Sequence, residues 1–176
     1  MNKVYIMLII VITTTTTISI VSCSSPDNAS PSQDLIAVSD MSRVNIPVRE
    51  HGYSNLQNIV INSTTELNEY IQLIEQQSAW NNKTEFVNVL QNEKIDFGSM
   101  NLLIYLHTEG SGSISVSLAD PIWEGANAAV NVTRTVPNIG TADMAYYAYA
   151  FNVRKTIPKV IFIIGETRVE IPNNEL

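Results

Sequence analysis

Cysteine is almost absent from this chain: Cys23 is the only one among 176 residues. No disulfide can form within it, so packing alone must hold the folded part, even in an oxidising compartment. Histidine is nearly as scarce. His51 and His107 lie far apart, without the spacing of a zinc or calcium site, so neither a metal nor a cofactor is expected. Lys and Arg number 10 against 17 Asp and Glu, a net charge of −7. That balance argues against nucleic acid, or an anionic lipid surface, as a partner of the folded part. Long apolar runs are missing too. Val4 to Ile12 is uncharged and apolar, but it is well short of the ~20 residues a membrane-spanning helix needs.

What is present near the start has the order of a secretory signal. Lys3 supplies a short positive region, Val4 to Ile12 the apolar segment, and ISIVS a small-residue exit. Ile20-Val21-Ser22-Cys23 resembles a bacterial lipobox. In lipoproteins of that type the cysteine thiol is alkylated by diacylglycerol and becomes the first residue after cleavage. Cys23 is therefore the candidate lipidation site, and two or three acyl chains there, palmitate among them, would moor the chain to a membrane. Ser24 follows, not the aspartate that retains lipoproteins in many inner membranes. The expected location is the bacterial cell envelope, with the outer membrane as destination in a two-membrane host. Loss of residues 1–22 removes one charge, Lys3, so the net charge moves from −7 to −8.

Residues 24–42 are rich in Ser, Pro, Asp and Asn and read as a flexible tether. Leu35 to Val38 within it could form a short docking strand. Residues 43–173 are long enough for one domain with a real core. Val44–Arg49 reads as an edge strand demoted by Pro47, and Leu56–Ile61 as a better strand. Ser63-Thr64-Thr65-Glu66 is a capping box in which Glu66 should reach back to the cap amide. Leu67, Tyr70, Ile71 and Ile74 then form one helical stripe. Phe86–Leu90 is short and ambiguous.

From Leu102 the period changes to two. Leu102–His107 is nearly continuously apolar, as a central strand would be. Ser113–Leu118 alternates strictly, and Ala129–Thr135 places Val130 and Val132 inward. Met144–Arg154 puts Tyr147, Tyr149, Phe151 and Val153 on one face, with Met144, Ala148 and Ala150 on the other. Val160–Ile164 and Arg168–Ile171 flank Gly165-Glu166, a tight hairpin. The expected fold class is α+β: a mostly antiparallel β-sheet of about six to eight strands with one amphipathic helix packed on it.

No catalytic constellation stands out, and the chain is not expected to be an enzyme. Gly110-Ser111-Gly112-Ser113 lacks the spacing and the following helix of a nucleophile elbow, and reads as a hairpin loop. His107, at the end of an apolar strand, reads as a partly buried, hydrogen-bonded histidine; His51, beside Gly52, reads as a turn residue. Asp120–Gly125 reads as a loop presenting Trp123, a residue type favoured at binding hot spots. Gly110, Ser111, Gly112 and Trp123 are thus the candidate partner contacts, since binding groups concentrate on loops held by a rigid scaffold.

Three stretches together carry a family resemblance. "IPVREHGYSNLQNIVINSTTELNEY" (46–70), "KIDFGSMNLLIYLHTEGSGSISVSL" (94–118) and "YAFNVRKTIPKVIFII" (149–164) resemble the PrcB C-terminal family of protease-complex-associated bacterial lipoproteins. The shared features are an aliphatic-Pro strand, a capped helix, a central apolar strand with a glycine loop, and a closing strand–Ile-Pro-Lys–strand pattern. The family's loop usually reads like Pro-Thr-Gly-Gly-Tyr-Ser, whereas Thr108–Ser113 lacks that Pro and Tyr. The resemblance implies a non-enzymatic accessory domain that binds or stabilises another secreted protein, a protease being the namesake partner. The alternative is a small-molecule or glycan-binding lipoprotein, for which Trp123 and the tyrosines at 146, 147 and 149 are the evidence.

Overall fold

The computed structural model describes residues 34–49 and 52–173; Cys23 and His51 lie outside them. Its elements are β1 (Met41–Val44), β2 (Ile59–Ile61), α1 (Thr64–Glu75), α2 (Lys83–Asn92), β3 (Met100–Glu109), β4 (Ser115–Leu118), β5 (Ile122–Glu124), β6 (Asn127–Thr135), β7 (Ala145–Arg154), β8 (Lys159–Ile164) and β9 (Thr167–Pro172). The α+β class holds, with mostly antiparallel pairing. Among the described residues there are nine strands in two sheets, and two helices rather than one.

The first sheet has the order β1-β7-β3-β2. Its backbone is the antiparallel β3–β7 pair, in register from Met100↔Arg154 to Glu109↔Ala145. Both faces of this pair are buried, which is why Leu102–Leu106 reads as continuously apolar. Leu103, Tyr105, Tyr147, Tyr149, Phe151 and Val153 join one core, shared with Val130, Val160 and Phe162 of the second sheet. Leu102, Ile104, Ala148 and Ala150 join the other, beneath the helices. The small Ala148 and Ala150 leave room there for Ile74 of α1 and for Phe86 and Leu90 of α2, all fully buried. Each large side chain so buried contributes about 1.5–3 kcal/mol.

Helix α1 begins as its sequence dictates. The Ser63 hydroxyl accepts from the Glu66 amide at 3.2 Å, and Leu67, Tyr70, Ile71 and Ile74 are the buried stripe. The Glu66 carboxylate reaches one residue beyond the cap and accepts from the Asn62 amide at 2.9 Å. Helix α2 corrects the one-helix expectation. Its cap residue, Asn82, makes no side-chain cap bond and instead donates to the Arg49 carbonyl. Its buried residues Phe86, Val87 and Leu90 make a stripe too short to announce a helix.

The second sheet runs β4-β6-β8-β9, with β5 also paired to β6. Here β6 and β8 are parallel, because the chain leaves this sheet after β6, returns along β7 in the first sheet, and re-joins as β8. Two-residue turns close the β5–β6 and β8–β9 hairpins, with Gly125 and Gly165 at φ 61° and 58°, a backbone region that favours glycine.

Three sequence boundaries need correction. The folded part begins before residue 43, where the tether was expected to end. The Ile36 amide donates to the Pro121 carbonyl, the Trp123 amide donates to the Asp34 carbonyl, and Ile36 and Met41 are buried in the core between the sheets. The Leu35–Val38 segment does dock, with Leu35 opposite Ile122. Gly110–Ser113 is not a hairpin loop, since β3 and β4 belong to different sheets; it turns the corner between them. Asp120–Gly125 is not simply a loop, because Ile122–Glu124 is strand β5.

Candidate functional site

The corner at Gly110–Ser113 gains its rigidity from a second loop, 136–144, that joins β6 to β7. The Gly112 amide donates to the Asp143 carbonyl at 2.7 Å. The Ser111 hydroxyl donates to the Thr141 carbonyl at 2.9 Å, and the Thr141 amide donates to the hydroxyls of Ser111 and Ser113 at 3.0 and 3.2 Å. Arg49 completes the lock. Its guanidinium donates to the Gly112 carbonyl and to the Tyr147 hydroxyl at 2.8 Å, while lying over the Tyr147 ring. A Cβ at Gly112 would displace the Asp143 carboxylate, whereas Gly110 faces open space. Hydrogen bonds from Thr141 and from backbone amides hold the Asp143 carboxyl below its ordinary range.

Of the expected contacts at this corner, only Gly110 is fully available; Ser111 and Gly112 are occupied in holding the two loops together. The exposed apolar side chains are contributed by the second loop and its end: Val136 at 60 %, Ile139 at 85 % and Met144 at 53 %. Residues 136–143 carry turn residues without periodicity, so no element or contact is legible there in the sequence. Their one signal is the pair of bulky aliphatics, Val136 and Ile139, set among Pro, Asn, Gly and Thr.

A cleft of about 540 Å³ opens beside these loops, lined by Arg49, Gly52, Ala79, Asp143, Met144 and Tyr146 among others. The Tyr146 ring meets Tyr53 edge-on at 5.0 Å, and the Tyr53 hydroxyl bonds the Thr108 hydroxyl at 3.0 Å. Burial raises the pKa of Tyr53. Of the three tyrosines singled out in β7, Tyr147 and Tyr149 are core residues and Tyr146 alone reaches this cleft.

His107 is a partly buried, hydrogen-bonded histidine, as its position suggested. Its Nε2 lies 2.7 Å from Glu109 Oε1 and its Nδ1 3.3 Å from the Tyr105 hydroxyl. Arg134, on the facing sheet, donates to both Glu109 oxygens at 2.5 and 2.7 Å. That bidentate pair, seconded by His107, lowers the Glu109 pKa to about 2 against a desolvation cost that acts the other way. Burial pushes Tyr105 up to about 12, so its hydroxyl stays protonated. Among the described residues no three His, Cys, Asp or Glu side chains converge as metal ligands. The arrangement neutralises a buried carboxylate at the rim of the sandwich.

Trp123 stands apart from all of this. It pairs with Ala128 near the start of β6, whereas Ser115, just after the corner, pairs with Thr135 at its end. At about 3.3 Å per residue the two candidate contact regions are separated by roughly 25 Å. The structure brings Gly110, Ser111 and Gly112 together with 136–144 and leaves Trp123, at 37 % exposure, at the opposite end. No family model, curated protein or solved structure matches this chain.

Proposed function

We propose that this protein is a lipid-anchored accessory protein of the bacterial envelope that contacts or stabilises another secreted protein without transforming it. The observation that carries the reading is the pair of cross-pinned loops, 110–113 and 136–144, with Val136, Ile139 and Met144 exposed on them. Exposed aliphatic side chains on a rigid frame lose little entropy on binding, which favours a protein partner. They also sit at the end of the fold remote from Asp34, the end that a membrane-moored chain presents outward. A secreted protease is the partner the PrcB resemblance suggests.

The test is a crosslinking pull-down of the native lipoprotein from membranes, compared with Ile139→Asp. We expect a discrete partner that the variant no longer captures, with its melting temperature unchanged. Capture unaffected by Ile139→Asp, or turnover of a defined substrate by the purified protein, would overturn the reading. A second reading, binding of a glycan or small molecule, draws on the cleft beside Tyr146 and Arg49. A soluble oligosaccharide that raises the melting temperature of the wild type but not of Tyr146→Ala would favour it.

A further inference from the structure

The edge where the described chain begins is apolar and open. Leu35 is 66 % exposed, Val38 79 % and Trp123 37 %. Leu35 lies opposite Ile122, and the Trp123 amide donates to the Asp34 carbonyl at 2.9 Å, so the backbones of Leu35 and Trp123 adjoin at one edge of the fold. Leu35 and Val38 also line a crevice of about 360 Å³ that reaches in to Met41 and Phe151, with Arg43 and Asp120 at its sides. One cation and one anion leave the crevice without net charge. The Arg43 guanidinium is already engaged, donating to the Leu118 carbonyl and lying over the Tyr149 and Phe151 rings.

Ten residues, Ser24 to Gln33, separate this edge from Cys23. Even fully extended, eleven residue steps span no more than about 40 Å. If Cys23 carries acyl chains, the edge is held within that distance of the bilayer at all times, while loops 110–113 and 136–144 lie at the far end of the strands. We propose that Leu35, Val38 and Trp123 form a bilayer-contact surface that lays this end of the domain on the membrane interface. The inference rests on the lipid-anchor reading. Tryptophan, with an apolar ring and one N–H donor, is suited to the headgroup level, and Leu35 and Val38 are suited to the boundary beneath it. With a folded part that is acidic and a crevice that is neutral, the contact is apolar and needs no anionic lipid.

The test uses the full lipidated chain in phosphatidylcholine vesicles with and without brominated acyl chains. Emission of Trp123 is isolated by subtracting that of Trp123→Phe, which leaves the buried Trp80. We expect brominated lipid to quench Trp123 about twofold, and the double variant Leu35→Ser/Val38→Ser to lose most of that quenching while staying vesicle-bound. A wild type that is retained but unquenched overturns the contact surface and leaves the anchor standing. A chain that does not stay with vesicles overturns the anchor, and the proposal with it. Sedimentation of Cys23→Ser covers the remaining occupant: a dimer abolished by Leu35→Ser/Val38→Ser would assign the crevice to a second copy and overturn the proposal.

Discussion

Tyr70, on the buried face of α1, is 2 % exposed, and its hydroxyl has no hydrogen-bond partner among the described residues. Burial raises its pKa, so the group stays neutral. A buried polar group left unpaired costs about 1–3 kcal/mol. Tyr70→Phe removes that cost and keeps the ring, so urea unfolding should show stability unchanged or raised by up to about 1 kcal/mol. A clear loss would mean that the hydroxyl is doing something the geometry does not reveal. Glu109 gives the opposite case, a carboxylate whose partners are all visible. Its folded pKa of about 2 lies below the ordinary 4.5. Its pairing therefore contributes fully above about pH 4.5 and is lost as pH falls toward 2. Glu109→Gln should be less stable than the wild type at pH 7, and the gap should narrow steadily across that acid window. A constant gap would refute the assignment. His107 as a partly buried, hydrogen-bonded residue was legible from its place at the end of an apolar strand. The Arg134–Glu109 pair beside it was not, since that depends on how two sheets face each other across 25 positions of chain.

Elements were readable wherever one physical signal dominated. The capping box and four-residue stripe of α1 determine a helix locally, and strict alternation determines β4 and β6. The signal failed where structure depends on partners distant in sequence. Division into two sheets, and the parallel β6–β8 pair, follow from β7 crossing between them, which no period records. The strand is Ile59–Ile61 and not Leu56–Ile61 because the Leu106 amide donates to the Asn58 side-chain oxygen at 2.8 Å in place of a backbone carbonyl. The 34–42 stretch was read as tether from its composition, yet it pairs with β5 and β7. A chain beginning at residue 43 would lose Ile36 and Met41 from the core, about 1.5–3 kcal/mol each. It should unfold at markedly lower urea than a chain beginning at Asp34, which should match the full protein. Equal midpoints would show that the stretch adds nothing to the fold. The corner loop is tested by its two glycines. Gly112→Ala should lower the melting temperature, because its Cβ collides with Asp143, while Gly110→Ala, facing open space, should leave it unchanged within a degree or so.

At the scale of the whole molecule, stability and placement are separable. Among the described residues, both cores are built from 36–171. If lipid on Cys23 serves to position the domain, Cys23→Ser should abolish incorporation of a palmitate analogue and release the protein from the membrane fraction. Its unfolding midpoint should stay the same as that of the lipidated form in detergent. The outward loops should behave conversely, with Ile139→Asp still labelled and membrane-bound but no longer crosslinked to a partner. This double dissociation follows from the geometry. The exposed aliphatics of 136–144 and the edge at Leu35, Val38 and Trp123 sit at opposite ends of β6 and β7, about 25–30 Å apart. Mutations at such a distance, with no shared contacts, act independently to within a few tenths of a kcal/mol. Label that persists on Cys23→Ser would remove the anchor. A distal variant that also detaches from membranes would show that the two ends are one site, and that the domain does not stand between a bilayer and a partner.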